Sequence, residues 1–253
     1  EKVTDKVANG DLIVLEGTTG RVHLSPSDDQ LEQFKHQQRQ FQRYSEQVAQ
    51  FAHLPAVTVD GLSVRVHANI EMVEEIGSAL EYGAGGIGLF RSEYYYVAQE
   101  TLPEEEALFG VYSHLLAGAA PFPVTIRTLD IGGDKFASSI SWGTEVNPAL
   151  GSRAIRFSFR QPEIFRVQLR ALFRASVQGN LKIMFPMISS LCEVERVREM
   201  VTEITAELDR AGLPYDPGVK IGIMIEVPSA VTLADVLARQ GGFMQTADDC
   251  PAE

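Results

Sequence analysis

The stretch Ile126-Arg-Thr-Leu-Asp-Ile-Gly-Gly-Asp-Lys135 sets Arg127, Asp130 and Lys135 around a pair of glycines, which is the composition of an anion site. A guanidinium grips two phosphate oxygens at once, an ammonium adds a point charge, and glycine lets the backbone turn tightly and approach a ligand. Taken alone, the segment reads equally well as a turn carrying a surface ion pair. Other positions shift that balance. Arg91 follows the apolar run Gly86-Ile-Gly-Leu-Phe90, Glu226 follows Val219-Lys-Ile-Gly-Ile-Met-Ile225, and Arg153 and Arg156 lie on a stretch read as helical from Pro148 to Arg160. Arginines gathered round one carboxylate suit a phosphorylated anion bridged by Mg2+. Each has a plainer reading by itself: an arginine after a strand is commonly a surface residue, and Glu226, ahead of Val227-Pro228, also reads as a strand end.

These residues need a scaffold that brings them to one rim, and from Leu62 onward the sequence alternates strand with helix. Strands are expected at Val64–Ile70, Gly86–Phe90, the run into Arg127, Leu181–Phe185 and Val219–Glu226. Between and after them, helices are expected at Glu71–Tyr82, Pro103–Leu116, Pro148–Arg160, Glu163–Val177, Leu191–Ala211 and Val231–Arg239. Near-continuous apolar strands separated by helices imply a parallel sheet with helical cover, and charge placed just past the strand ends fits the C-terminal rim of a barrel. The expected fold class is α/β, an incomplete (β/α)8 TIM-like barrel of about five βα units. An open doubly wound sheet, which needs fewer strands, is the alternative. The residues from Gly242 to Glu253 read as a polar tail rather than a strand.

Ahead of the alternation, Asp11–Glu16 and Arg21–Ser25 read as a hairpin about the turn Gly17-Thr-Thr-Gly20. An isolated hairpin is marginal in water, so the chain reads as beginning inside a domain. Ser27 then caps a helix running to about Phe51, with Phe34, Phe41 and Val48, and likewise Tyr44 and Phe51, at seven-residue spacing. Such a narrow stripe on a Gln-, Arg- and Glu-rich helix suits a connector, either a hinge between domains or a scaffold helix.

Hydrophobic residues make up 45% of the 253, enough for a sizeable core. The net charge of -12 argues against a nucleic-acid or membrane-surface role, so any arginines that meet an anion are focused in a cleft. Cys192 and Cys250 share no metal-type spacing, which points to a reducing compartment. No apolar run reaches spanning length and the first residues lack the core of a signal peptide, so a cytoplasmic location is expected. His23, His36, His53 and His67 have no ligand spacing with carboxylates and read as surface or packing residues.

Motifs in order along the chain resemble one family. Ala68-Asn-Ile70, Gly88-Leu-Phe-Arg-Ser-Glu93, Leu102-Pro-Glu-Glu-Glu106, Arg127 to Lys135, Asn147-Pro-Ala-Leu-Gly-Ser-Arg-Ala-Ile-Arg156, Met184-Phe-Pro-Met187 and Gly222-Ile-Met-Ile-Glu-Val-Pro228 are similar to Enzyme I of the bacterial phosphotransferase system. Multiphosphoryl transfer proteins carry the same module. The resemblance implies a remnant of a swivelling phosphohistidine domain at 1–26, a linker helix at 27–55, a partial phosphoenolpyruvate-binding barrel at 56–240 and a divergent tail at 241–253. It implies that Arg91 and Arg127 hold the phosphate of phosphoenolpyruvate, that Arg153 supports it, and that Glu226 is one of two acidic Mg2+ ligands. Asp130 and Lys135 would organise those groups. The implied partners are a histidine-containing phosphocarrier protein, in sugar uptake, and a second copy in a homodimer of the parent protein.

The departures bear on activity. The family's phosphoacceptor histidine motif, its Asn-Asp-Leu metal segment and its proton-donating cysteine have no match in this sequence, and neither Cys250 nor Cys192 stands in that cysteine's context. The expectation is therefore part of a phosphotransferase whose isolated chain does not turn over. A non-catalytic binding or oligomerisation module is the alternative, and an aldolase-type barrel is a third reading that the Gly-Gly-Asp-Lys segment disfavours.

Overall fold

The computed structural model describes residues 3–52, 54–99, 101–132, 151–240 and 242–246. Lys135, the stretch from Asn147 to Leu150, His53 and Cys250 lie outside the described residues. The chain divides into two compact units, Glu1–Leu54 and Pro55–Glu253.

In the first unit, β1 (Ile13–Glu16) and β2 (Arg21–Leu24) form an antiparallel hairpin in which Ile13 faces Leu24 and Glu16 faces Arg21. Helix α1 (Asp28–Ala49) starts at a capping box. The Ser27 hydroxyl accepts from the Gln30 N–H at 3.3 Å, and the Gln30 side chain accepts from the Ser27 N–H at 3.0 Å. Two donors that the first turn would leave unpaired are satisfied this way. Phe34 meets the His23 ring at 4.7 Å, whereas Phe41, Tyr44, Val48 and Phe51 are exposed.

Among the described residues the second unit is built on six parallel strands: β3 (Ala68–Ile70), β4 (Ile87–Arg91), β5 (Val124–Arg127), β6 (Leu181–Phe185), β7 (Lys220–Ile225) and β8 (Phe243–Thr246). They lie side by side in chain order. Between them run α2 (Glu75–Glu81), α3 (Glu93–Val97), α4 (Glu105–Ala119), α5 (Ile155–Arg160), α6 (Pro162–Ala175), α7 (Leu191–Ala211), α8 (Pro228–Thr232) and α9 (Ala234–Gln240). Strictly consecutive order decides between the two expected topologies. A doubly wound sheet reverses its order, whereas repeated right-handed crossovers in one direction put every helix on the same face and curl the sheet toward a barrel.

The core fills the space between sheet and helices. Ile87, Phe90, Val124, Ile126, Ile183 and Phe185 from the strands pack with Leu108, Tyr112, Leu115, Leu169, Leu172 and Ile204 from the helices. Each such side chain contributes roughly 1.5–3 kcal/mol by leaving water. Leu89, Met184 and Met224 form a second small cluster, with Phe243 against it, on the opposite, concave face. Ile87 and Phe90 point the same way although three positions apart, because β4 carries a register shift between them. That bulge returns Leu89 and Arg91 to the concave face. Gly88 sits in it, where an added Cβ would come within 2.9 Å of the His67 Cβ.

Three expectations change. Among the described residues the sheet has six strands rather than about five, because β8 forms where a polar tail was expected. Register pairing with β7 holds β8, and Phe243 lies over Gly222, where any Cβ would strike its ring at 2.5 Å. The first strand begins only at Ala68, since Val57 bridges to Ser63 and the Val64 N–H goes to the Ala56 carbonyl, turning that backbone away from the sheet. Of the helix expected from Pro148 to Arg160, residues 148–150 lie outside the described residues, and from 151 on helix α5 begins only at Ile155, because Ala154 takes a φ of 53°, which no right-handed helix can contain.

Outside the sheet, Arg166, Arg170 and Arg174 stand one turn apart along α6. Arg170 reaches Glu105 of α4 at 2.7 Å and Glu207 of α7 at 3.3 Å; Arg174 reaches Glu105 at 2.6 Å and Glu106 at 2.7 Å; Arg166 reaches Glu203 at 3.0 Å. This ladder ties three covering helices together.

Candidate functional site

Arg91 ends β4 and Arg127 ends β5, and the two are register partners, so their side chains leave the same face at the same end of the sheet. Glu226 follows β7 directly, two residues beyond Met224 and therefore on that face. The chain exits after β3, β4, β5, β6 and β7 thus meet at one C-terminal rim.

Arg127 is the centre of the rim. Its Nη2 donates to Glu93 Oε1, and its Nη1 lies 3.3 Å from Asp130 Oδ2 and 3.9 Å from Met224 Sδ. Arg127 Nε and Glu93 Oε2 are buried without a hydrogen-bond partner among the described residues. An unpaired buried polar atom costs about 1–3 kcal/mol, so a donor in that state beside a rim is a place for a ligand oxygen. Asp130, its side chain only 3% exposed, grips Arg153 with both oxygens, Nε to Oδ1 at 2.7 Å and Nη2 to Oδ2 at 3.2 Å. Arg91 donates from Nη1 to Glu71 Oε1 at 3.2 Å, just beyond the end of β3. Glu226 Oε1 accepts the Met187 N–H at 2.5 Å.

Electrostatics follow from burial and from these pairs. Loss of water pushes the Glu93 carboxyl above its ordinary range, opposed by Arg127. Burial likewise raises Glu226; the Met187 N–H opposes the shift, Asp130 adds to it, and Arg127 and Arg153 oppose it. The Asp130 hydrogen bonds hold Arg153 above its usual value. Among the described residues three arginines here face four carboxylates: Glu71, Glu93, Asp130 and Glu226. Among the described residues no group of three or more His, Cys, Asp and Glu side chains could hold a metal ion.

The structure brings Arg127, Arg153 and Glu226 into one electrostatically coupled cluster and sets Arg91 beside it with its charge engaged by Glu71. Arg153 is not on a helix; it bridges to Gly132 ahead of α5, which aims it at Asp130, while Arg156 does lie on α5. Lys135, expected to organise the site, lies outside the described residues. Sequence reasoning quoted Glu93 only as part of a motif, although an acid two residues past a rim arginine is a natural partner for its neighbour. It missed Gln168, whose signal was a polar residue on the buried stripe Phe165, Gln168, Leu169 and Leu172 of α6.

Comparison with known proteins gives consistent matches. The chain is 40% identical over 241 residues to a protein named phosphoenolpyruvate-protein phosphotransferase from Geobacillus stearothermophilus, 95% of this chain and 42% of that protein. It is 41% identical over 243 residues to the protein of that name from Mycoplasma capricolum subsp. capricolum, 96% of this chain and 42% of that one. For the one from Cupriavidus necator the identity is 39% over 247 residues, again 96% and 42%. The chain therefore spans less than half the length of these relatives. The family described as PEP-utilising enzyme, PEP-binding domain, matches residues 45–246. With most of its length in that match, the chain belongs to the phosphoenolpyruvate-utilising enzymes and carries their phosphoenolpyruvate-binding domain.

Proposed function

We propose that the rim binds phosphoenolpyruvate together with Mg2+, as the substrate-holding part of a phosphoenolpyruvate–protein phosphotransferase. The observation that carries this reading is Arg127, a buried guanidinium whose Nε has no partner among the described residues and whose remaining donors are steadied by Glu93 and Asp130. A guanidinium has five N–H groups, so it can keep both carboxylates and still present donors to phosphate oxygens. Arg153, held by Asp130, supplies a second fixed cation, and Arg91 enters from the neighbouring strand. Phosphoryl transfer depends mostly on positioning and on cations at the equatorial oxygens, which is the work such groups do.

The donor chemistry fits a hard divalent cation. Glu226 commits one oxygen to the Met187 N–H and can offer the other, and Mg2+ commonly takes one or two carboxylates with phosphate oxygens and water completing its shell. When bound, the ion supplies charge neutralisation for the phosphate. That need is consistent with the described residues of the rim, where carboxylates outnumber arginines and a dianion alone would gain little. The parent protein's role would be to pass phosphate through an enzyme histidine to a histidine-containing phosphocarrier in sugar uptake, in the cytoplasm and as a homodimer. Among the described residues no helix is long and apolar enough to cross a membrane.

The test is titration calorimetry of the chain with phosphoenolpyruvate, with and without Mg2+. Weak, Mg2+-dependent binding that disappears in Arg127→Ala supports the reading. Equal heats for the wild type and Arg127→Ala would reject the site.

A further inference from the structure

Gln168 lies on the face of α6 turned toward the sheet and is 1% exposed, yet none of its polar atoms is idle. Its Oε1 accepts the Leu129 N–H at 3.0 Å, and its Nε2 donates to Ser92 Oγ at 3.0 Å and to Tyr112 Oη at 3.0 Å. Ser92 Oγ in turn donates to the Arg127 carbonyl at 2.6 Å. Because Ser92 spends its one proton on that carbonyl, it must accept from the amide, which fixes Nε2 toward Ser92 and Oε1 toward Leu129.

The network therefore holds the backbone on both sides of Thr128. It fixes the Arg127 carbonyl through Ser92, the Leu129 N–H directly, and the end of β4 through Ser92 itself. One residue beyond Leu129 is Asp130, which sets the directions of Arg127 and Arg153. A parallel strand stops donating register bonds where it ends, so these side-chain bonds replace the ladder at the point where the chain turns into the rim. The Tyr112 hydroxyl, buried and raised well above its ordinary pKa mainly by loss of water, stays a neutral acceptor throughout.

We propose that Gln168 is a positioning residue for the anion site: from the helical layer it locks the Arg127–Asp130 turn so that the two guanidiniums meet a phosphate in a fixed geometry. This rests on the phosphoenolpyruvate reading for its ligand but not for its structural content. Gln168, 1% exposed, would act on the site through Ser92 and Leu129 rather than by contact with the anion.

The test compares Gln168→Leu, Gln168→Glu and, as a control, Ser176→Ala in the full 253-residue chain. Ser176 is another fully buried hydroxyl, just past the C-terminal end of α6, where it donates to the Phe173 carbonyl and accepts from the Asp216 N–H, far along the helix from the rim. Three quantities are read at a temperature where each variant stays folded: hydrogen exchange at the Leu129 amide, the Arg127 side-chain Nε–H resonance, and affinity for phosphoenolpyruvate with Mg2+. Gln168→Leu should lose Leu129 protection, shift the Arg127 resonance and weaken binding by about tenfold or more, the scale seen when a partner that orients binding groups is removed. Gln168→Glu should recover much of this at low pH, where a neutral carboxyl both accepts and donates, and lose it at high pH. Ser176→Ala should lower the melting temperature while leaving all three readouts in place. The proposal is overturned if Gln168→Leu keeps the Leu129 protection and Arg127 resonance of the wild type, or binds within twofold of it, or if Ser176→Ala weakens binding as much. If the wild type itself does not bind the probe, the phosphoenolpyruvate reading falls while exchange and resonance still decide the role of Gln168.

Discussion

Asp130 holds Arg153 by two parallel hydrogen bonds, at 2.7 and 3.2 Å, and does so with a side chain only 3% exposed. One carboxylate thereby fixes the planes of two arginines, because its Oδ2 also lies 3.3 Å from Arg127 Nη1. Removing Asp130 leaves the buried Arg127 with Glu93 alone while Arg153, its side chain 38% exposed, turns to water, so the cost is about 3 kcal/mol, the low end for breaking a buried pair. Asp130→Ala is thus expected to lower the melting temperature by about 6–12 °C in a unit of this size, measured by calorimetric scan. A fall of only a degree or two would show that the cluster is not coupled as described.

Glu93 is the buried partner of Arg127, and its carboxyl is raised because burial outweighs the arginine's pull. Between its ordinary and its raised pKa the folded chain holds more protons than the unfolded chain, so this group costs stability as pH rises through that window and relieves the cost as pH falls. Urea midpoints of the wild type should therefore drop more steeply than those of Glu93→Gln as pH rises above the ordinary carboxylate range. Parallel slopes for the two proteins would contradict the assignment.

The ladder on α6 makes the opposite prediction. Burial raises the Glu105 carboxyl, but hydrogen bonds from Arg170 and Arg174 overcome that and leave it below its ordinary range. The stability it lends is present above the ordinary carboxylate pKa and is lost as pH falls through the depressed one. Glu105→Gln should cost about 1 kcal/mol near neutral pH, less in high salt, with the difference from wild type vanishing in acid, as denaturant titrations would show.

Gly88→Ala tests the bulge that aims Arg91. An added methyl would lie 2.9 Å from the His67 Cβ, which is anchored to the backbone and cannot swing aside. Overpacking of this kind costs about 1–3 kcal/mol, and here it should also weaken anion binding by displacing the end of β4. A variant as stable as the wild type would mean that β4 tolerates a shift there.

What the sequence made legible were features governed by local chemistry. Ser27 announced the start of α1, and the span Leu191–Ala211 was recoverable because Ser190 and Glu193 cap its start and Gly212 takes the left-handed conformation at its end. Arg91 and Arg127 could be placed at strand ends because apolar runs lead into them. What depended on partners distant in sequence was not legible. Nothing in Phe243-Met-Gln-Thr246 marks a strand until β7 offers it a ladder, and Val64 looks like strand until its N–H is taken by Ala56. Gln168 was silent for the same reason, since its three partners come from positions 92, 112 and 129.

The central claim is that guanidiniums from separate βα units hold one phosphate beside Glu226. Its most direct test is a crystal structure of the chain grown with phosphoenolpyruvate and Mn2+ in place of Mg2+. The prediction is phosphate oxygens within hydrogen-bond reach of Arg127 Nε and of Arg153, and an anomalous Mn2+ peak against Glu226. A phosphate bound elsewhere on the sheet, or a rim that stays empty at saturating ligand with the Glu93, Arg127 and Asp130 contacts unchanged, would contradict it.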